Sequence, residues 1–144
     1  MTTSSVALGL ILIVDDKPAN LVLLQQDLEE EGFDVAAAES GHVCVKLAKD
    51  LTPDVILLDI KMPVMDGIET CKRLKSDTDT ADIPVLFLTA SGDSDDLLAQ
   101  CLEAGATDFL QKPYNAAQLV ARVSSQVRLR RTQARLKRLE SRGG

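Results

Sequence analysis

The chain has 144 residues, 45% of them apolar, which suffices for one globular domain with a real core and is too short for two ordinary ones. Its formal net charge of −6 hides a division, with nine Lys/Arg against 21 Asp/Glu over residues 1–127 and seven against one over 128–144, so the two parts are expected to have different jobs. Cys44, Cys71 and Cys101 are odd in number, far apart and never in a Cys-x-x-Cys arrangement, which argues against a disulfide framework and a zinc site and predicts small buried helix residues in a reducing cytoplasm.

The apolar run Val6 to Val14 lacks a basic flank and a cleavage site, and it falls far short of the roughly 18 residues of a membrane span. It reads as a buried strand, with Leu10 to Val14 as strand one. A helix over Asn20 to Glu31 aligns Leu21, Leu24 and Leu28 on one face and is closed by Gly32. Asp34 to Ala38 is the second strand. Gly41 to Asp50 is a second helix, with Val43, Leu47 and Leu51 at helical spacing, and Pro53 marks the return to extended chain. Val55 to Leu58 is the third strand and runs directly into Asp59. Met62 to Gly67 is turn chemistry, a helix follows from Ile68 to about Lys75, and Asp77 to Asp82 is a polar loop. Pro84 introduces the fourth strand, Val85 to Leu88, which ends at Thr89. The polar run Ser91 to Asp96 leads into a helix ending at Ala104, with Gly105 as its stop. The fifth strand is Asp108 to Gln111, and beyond Lys112-Pro113 a last helix starts near Asn115 and runs past Arg135.

Strands that are apolar almost throughout are buried on both faces, so strand and helix alternating five times predicts an α/β, doubly wound parallel sheet. In such folds ligands bind beyond the carboxyl ends of the strands. Those ends carry Asp15 and Asp16, Asp59, Thr89 and Lys112, so four strands bring three carboxylates, a hydroxyl and an ammonium to one rim. Crowded carboxylates repel and raise at least one pKa unless a cation compensates. An oxygen-only set without His or Cys suits Mg²⁺, and no Asp-x-Asp-x-Asp-Gly loop is present to suggest a calcium site. Lys112 and Thr89 suit an anion, and a carboxylate beside them supplies the nucleophile that phosphoryl transfer needs, for which Asp59 is the candidate. Taken singly, Asp15 or Asp16 would read as a helix cap, Thr89 as a strand end, and Pro63 and Gly67 as turn residues. His42 reads as a surface residue, and Met62 and Met65 as loop methionines packed on the core.

Ile13-Val14-Asp15-Asp16-Lys17, Leu57-Leu58-Asp59-Ile60-Lys61-Met62-Pro63 with Asp66-Gly67, Leu88-Thr89-Ala90 and Gln111-Lys112-Pro113, in this order, closely resemble the response regulator receiver domains of two-component signalling. The resemblance covers residues 8–127 and implies a CheY-like, flavodoxin-like sheet of order 2-1-3-4-5. It implies that Asp59 takes a phosphoryl group from the phosphohistidine of a sensor histidine kinase or a histidine phosphotransfer protein. Asp15, Asp16, Asp59 and the backbone carbonyl of Lys61 would hold Mg²⁺, and Lys112 would pair with Asp59 and then with the phosphoryl group, its bond to Pro113 being cis. Thr89 and Phe109 would be the switch residues and the Ala90 N–H a further phosphoryl contact; Phe109 lacks the hydroxyl of the Tyr found in many relatives. The protein would be a phosphoacceptor and not an enzyme in the ordinary sense, whose own chemistry is limited to phosphotransfer and slow dephosphorylation.

Residues 128–144 read as a basic helical extension. Leu119, Val120, Val123 and Val127 suit docking on the sheet, whereas Leu129, Leu136 and Leu139, with Thr132 between, follow heptad-like spacing with no domain left to cover. The expectation is a homodimer contact or a linker toward an output domain beyond residue 144, with Gly143-Gly144 as loop. Nucleic-acid binding by the clustered Arg is the competing reading, disfavoured because no recognition motif or stacking aromatic accompanies them. An aspartate-nucleophile phosphatase would need an Asp-x-Asp pair where Asp59 is followed by Ile60-Lys61, and a flavodoxin-like nucleotide binder would need a phosphate loop after the first strand. A pseudo-receiver would have lost one of Asp16, Asp59 or Lys112.

Overall fold

The computed structural model describes residues 8–90 and 92–143. Val6, Ala7, Ser91 and Gly144, which figured in the sequence reading, lie outside them. The elements are β1 (Leu10–Val14), α1 (Pro18–Glu30), β2 (Asp34–Ala38), α2 (Gly41–Leu51), β3 (Val55–Asp59), α3 (Gly67–Ser76), β4 (Val85–Thr89), α4 (Asp95–Glu103), β5 (Asp108–Gln111) and α5 (Ala116–Gly143). All five strands are parallel in the order β2-β1-β3-β4-β5. Helices cover both faces, as the doubly wound reading requires.

Strand alternation divides the core. Leu12, Val14, Ile56, Leu58, Val85 and Phe87 face α2, α3 and α4, where Cys44, Cys71, Leu74 and Cys101 meet them. Ile11, Ile13, Val55, Leu57, Leu86 and Leu88 face Leu21, Leu24 and Leu28 of α1 and Leu119, Val123 and Val127 of α5. Both sets are buried, because each strand is joined to the next in sequence by a crossover helix that covers one face. The three cysteines are buried and free, and burial pushes their thiols up, to about 12 for Cys44 and about 11 for Cys71 and Cys101. Protonated and covered, they pack as small apolar groups.

Two local expectations are corrected. The first helix begins at Pro18 and not Asn20, since a proline at the first helical position sacrifices an N–H that has no partner there. On α2 the buried face is Gly41, Cys44 and Ala48, while Val43 and Leu51 are exposed. That helix lies too close to α3 for large side chains: a Cβ on Gly41 would overlap Thr70 Oγ1 and stand 3.1 Å from the Met65 carbonyl. Gly32 and Gly105, at φ +101° and +111°, end α1 and α4 in the left-handed conformation expected of them.

The start of α5 is fixed by Asn115 and Gln118, each side chain accepting the other's backbone N–H at 2.8 and 3.0 Å, a capping box. Arg122 then clamps Asp108 of β5 at 2.7 and 2.9 Å. Beyond Val127 the helix continues without a break to Gly143, into the pair expected to be loop. Arg130 donates to the Asp82 carbonyl at 3.1 Å, Lys137 pairs with the Asp82 carboxylate, and Arg131 lies 3.5 Å from Asp54. Leu129, Leu136 and Leu139 are about half exposed, at 48%, 52% and 54%. Among the described residues no helix is long and apolar enough to cross a membrane.

Candidate functional site

The carboxyl ends of β1, β3, β4 and β5 form one rim, and the sequence-predicted residues gather there. Asp15, directly after β1, is buried; its Oδ1 accepts the Lys17 N–H at 2.9 Å and its Oδ2 the Asn20 amide at 3.0 Å. The first bond closes a local Asx turn ahead of α1, whose N-cap residue, Lys17, has no side-chain cap bond, so Asp15 does not cap the helix. Asp16 differs: its Oδ1 is buried and has no protein partner. Asp59 ends β3, and carboxylate oxygens of Asp15, Asp16 and Asp59 lie within 4.8 Å of one another.

Burial is the larger cause, and the Asp15 charge the next, of a raised Asp59 pKa, about 6 against an ordinary 3.8. Lys112 opposes this: its Nζ is 3.8 Å from Asp59 Oδ1, and its backbone N–H donates to the Thr89 carbonyl at 2.8 Å. Thus β5 delivers Lys112 by pairing with the end of β4, with Thr89 opposite Gln111 in register. Thr89 is buried and the Lys112–Pro113 peptide is cis. Lys112 and Lys17, the two ammonium groups that act on Asp59, cannot neutralise three carboxylates. An orphaned, buried Asp16 oxygen beside two other carboxylates is the donor set a hard divalent cation accepts, so the residues fit Mg²⁺.

The loop after Asp59 is held by close packing. A Cβ on Gly67 would overlap the Asp59 carbonyl and stand 2.8 Å from Ile60 Cα and 3.0 Å from Phe87 Cε1, and the Gly67 N–H donates to Ile60 O at 2.6 Å. Gly67 is therefore more than a turn residue: it lets α3 start against the backbone of the rim aspartate. Asp66 caps that helix by accepting the Glu69 N–H at 2.9 Å. Met62 and Met65 are buried, but Val64 between them is 96% exposed with φ +69°, and the Met65 N–H closes a three-residue turn onto Pro63 O at 2.8 Å. His42 is exposed in the first turn of α2.

Phe109 is half-buried on β5, opposite Phe87 in register and packed on the α2–α4 side of the sheet. The Ala90 N–H, just past Thr89, is bonded to Asp93 Oδ2 at 2.7 Å, and Asp93 Oδ1 lies 3.5 Å from Lys61 Nζ. Asp93, Asn20 and Tyr114 are site-flanking residues that the sequence reading passed over. Asn20 and Tyr114 line a cleft of about 350 Å³ with Asp15 and Lys112, and burial pushes the Tyr114 hydroxyl up to about 12. Tyr114 follows the cis proline, a position whose orientation no periodicity reveals. Asp93 stood inside a polar run where each residue looks equally like loop.

Comparison with known proteins places these features in company. The family model for the response regulator receiver domain matches residues 11–124. The DNA-binding dual master transcriptional regulator RpaA of Synechocystis is 46% identical over 118 residues, 82% of this chain and 48% of that protein. The response regulator PleD of Caulobacter vibrioides is 42% identical over 133 residues, 92% of this chain and 29% of that protein. The chain therefore spans about half or less of the length of these relatives. Among solved structures, the receiver domain of sensor histidine kinase PA1611 from Pseudomonas aeruginosa, described with a magnesium ion coordinated in the active site cleft, superposes with a TM-score of 0.76 at 29% identity, covering 83% of this chain and 97% of that one.

Proposed function

The chain belongs to the response regulator receiver domain family, and from that membership we propose that it is a phosphorylation-dependent switch whose phosphoacceptor is Asp59. The observation that carries the reading is the convergence of Asp15, Asp16 and Asp59 with Lys112 at the ends of three strands.

An Asp59 carboxylate oxygen attacks the phosphorus of a phosphohistidine on a sensor kinase or a phosphotransfer protein; an O–P bond forms, the P–N bond breaks and the imidazole leaves. Asp15, Asp16, Asp59 and the Lys61 carbonyl would hold Mg²⁺, which when bound supplies positive charge against the transferring phosphoryl oxygens. Lys112, already 3.8 Å from Asp59, follows the charge from carboxylate to phosphoryl group. The Thr89 hydroxyl donates to the phosphoryl group, Phe109 repacks in response, and the Ala90 N–H supplies a further bond. The driving term is a new charge of about −1.5 to −2 in a half-buried rim.

Output then passes through association. With Leu129, Thr132, Leu136 and Leu139 at the a and d positions of two heptads, Arg135 falls at g and Glu140 at the next e, opposite charges across a parallel pair of helices. This favours a second copy of the chain as the partner of the stripe, and the greater length of the relatives supports an output module following it. Incubation with Mg²⁺ and acetyl phosphate, read by intact mass and by solution mass, tests the reading. A phosphate-sized gain that needs Mg²⁺ and is lost in Asp59→Asn, with a shift toward dimer mass, is expected; no gain under any condition contradicts it.

A further inference from the structure

Asp93 holds a backbone donor, the Ala90 N–H, that the phosphoacceptor reading gives to a phosphoryl group on Asp59. Its Oδ2 accepts the Ala90 N–H at 2.7 Å, its own N–H donates back to Ala90 O at 3.1 Å, and its Oδ1 lies 3.5 Å from Lys61 Nζ. The Asp93 side chain is only 6% exposed whereas that of Lys61 is 76% exposed, so the carboxylate is the enclosed partner and the lysine reaches over it from solvent. A carboxylate accepting a backbone N–H is a charge-assisted bond, among the stronger ones a loop can make. The donor it takes adjoins Thr89, and Thr89 ends the strand paired with β3, whose last residue is Asp59.

We infer that Asp93 is a resident anion that holds the Ala90 N–H and the Lys61 ammonium in the resting protein, and that a phosphoryl group on Asp59 must displace it. This rests on the phosphoacceptor reading of Asp59 and adds to it a positioning residue that sets how readily the switched state forms. The phosphoryl group repels the neighbouring carboxylate and competes for the same two donors with more charge. Release of Asp93 breaks its two bonds to Ala90. Asp93 adjoins Ser94, whose side chain caps α4 by accepting the Leu97 N–H at 3.1 Å. The displacement is therefore coupled to the start of α4, and one helix senses the exchange of one anion for another.

Beryllofluoride with Mg²⁺ is the probe, titrated by calorimetry into the wild type, Asp93→Ala and Asp93→Asn, with amide NMR shifts recorded for each. Loss of a competing charge-assisted bond is expected to tighten beryllofluoride binding by about tenfold in Asp93→Ala. Asp93→Asn, which keeps an acceptor for Ala90 but not the charge, is expected to fall between, with Mg²⁺ affinity unchanged in both. The unliganded Ala90 amide shift of Asp93→Ala is expected to leave its resting position, which a purely remote effect on folding would not produce. Unchanged or weaker beryllofluoride binding in both variants, with normal binding by the wild type, overturns the role of Asp93 alone. Failure of the wild type to bind overturns the phosphoacceptor reading and this inference with it.

Discussion

Burial beside Asp15 holds the Asp59 carboxyl at about 6 in the fold, against an ordinary 3.8. Folding therefore takes up a proton between those values. The associated stability is fully present below the ordinary carboxyl pKa and is lost as pH rises through about 6. At neutral pH the metal-free protein bears an unfavourable charge at this position, and Asp59→Asn should raise its stability by about 1 kcal/mol, the shift being discounted for partial solvent access. Thermal melts at pH 7.5 and pH 4 check this: the gain of the variant should shrink at the lower pH. Val64 is strained in its backbone. Its φ of +69° suits glycine and not a β-branched side chain, and its exposure leaves no packing to lose. Relief of roughly 1–2 kcal/mol exceeds the roughly 0.4–1 kcal/mol of extra chain entropy that glycine brings, so Val64→Gly should raise the urea midpoint slightly. Gly67→Ala should lower it, by about 1–3 kcal/mol, because the added Cβ meets the Asp59 and Ile60 backbone, which cannot yield as a side-chain tip would.

At the scale of elements, the ends of strands were legible in the sequence because their determinants are local: an apolar run stops at a carboxylate, hydroxyl or lysine, and the parallel sheet brings the stops together. Asp15, Asp16, Asp59, Thr89 and Lys112 were all found this way. Faces of helices were less legible. On α2 the larger residues Val43 and Leu51 drew the prediction, but the separation of α2 from α3 selects Gly41, Cys44 and Ala48, and that separation is a property of the packed layers. Asp93 escaped for the opposite reason, as a charged residue in a polar loop carries no periodicity. The far half of α5 is the least secured element. Arg130, Arg131 and Lys137 reach Asp82 and Asp54 across exposed surface, where ion pairs contribute little. Hydrogen exchange should show protection falling a few-fold over residues 130–140 in Asp82→Ala or near 1 M salt, with residues 116–127 unaffected. Equal loss in both halves would mean that α5 opens as one unit.

At the scale of the whole molecule, an acidic rim at one edge of the sheet and a basic helix with an exposed leucine stripe at the other belong to one polypeptide, and β5, Arg122 and α5 connect them. If the switch works by association, the stripe must matter only to output. Leu136→Asp should leave phosphate uptake intact while abolishing any increase in solution mass; loss of uptake as well would place the stripe within the receiver's own stability. The chemistry at the rim is the premise for all of this, and the site of modification tests it most directly. The protein should be treated with acetyl phosphate and Mg²⁺, trapped with borohydride, which reduces an aspartyl phosphate to the alcohol, and mapped by peptide mass spectrometry. The account predicts reduction at Asp59 and at no other carboxylate; a trapped group on Asp15 or Asp16, or none on a protein that still binds Mg²⁺, would contradict it.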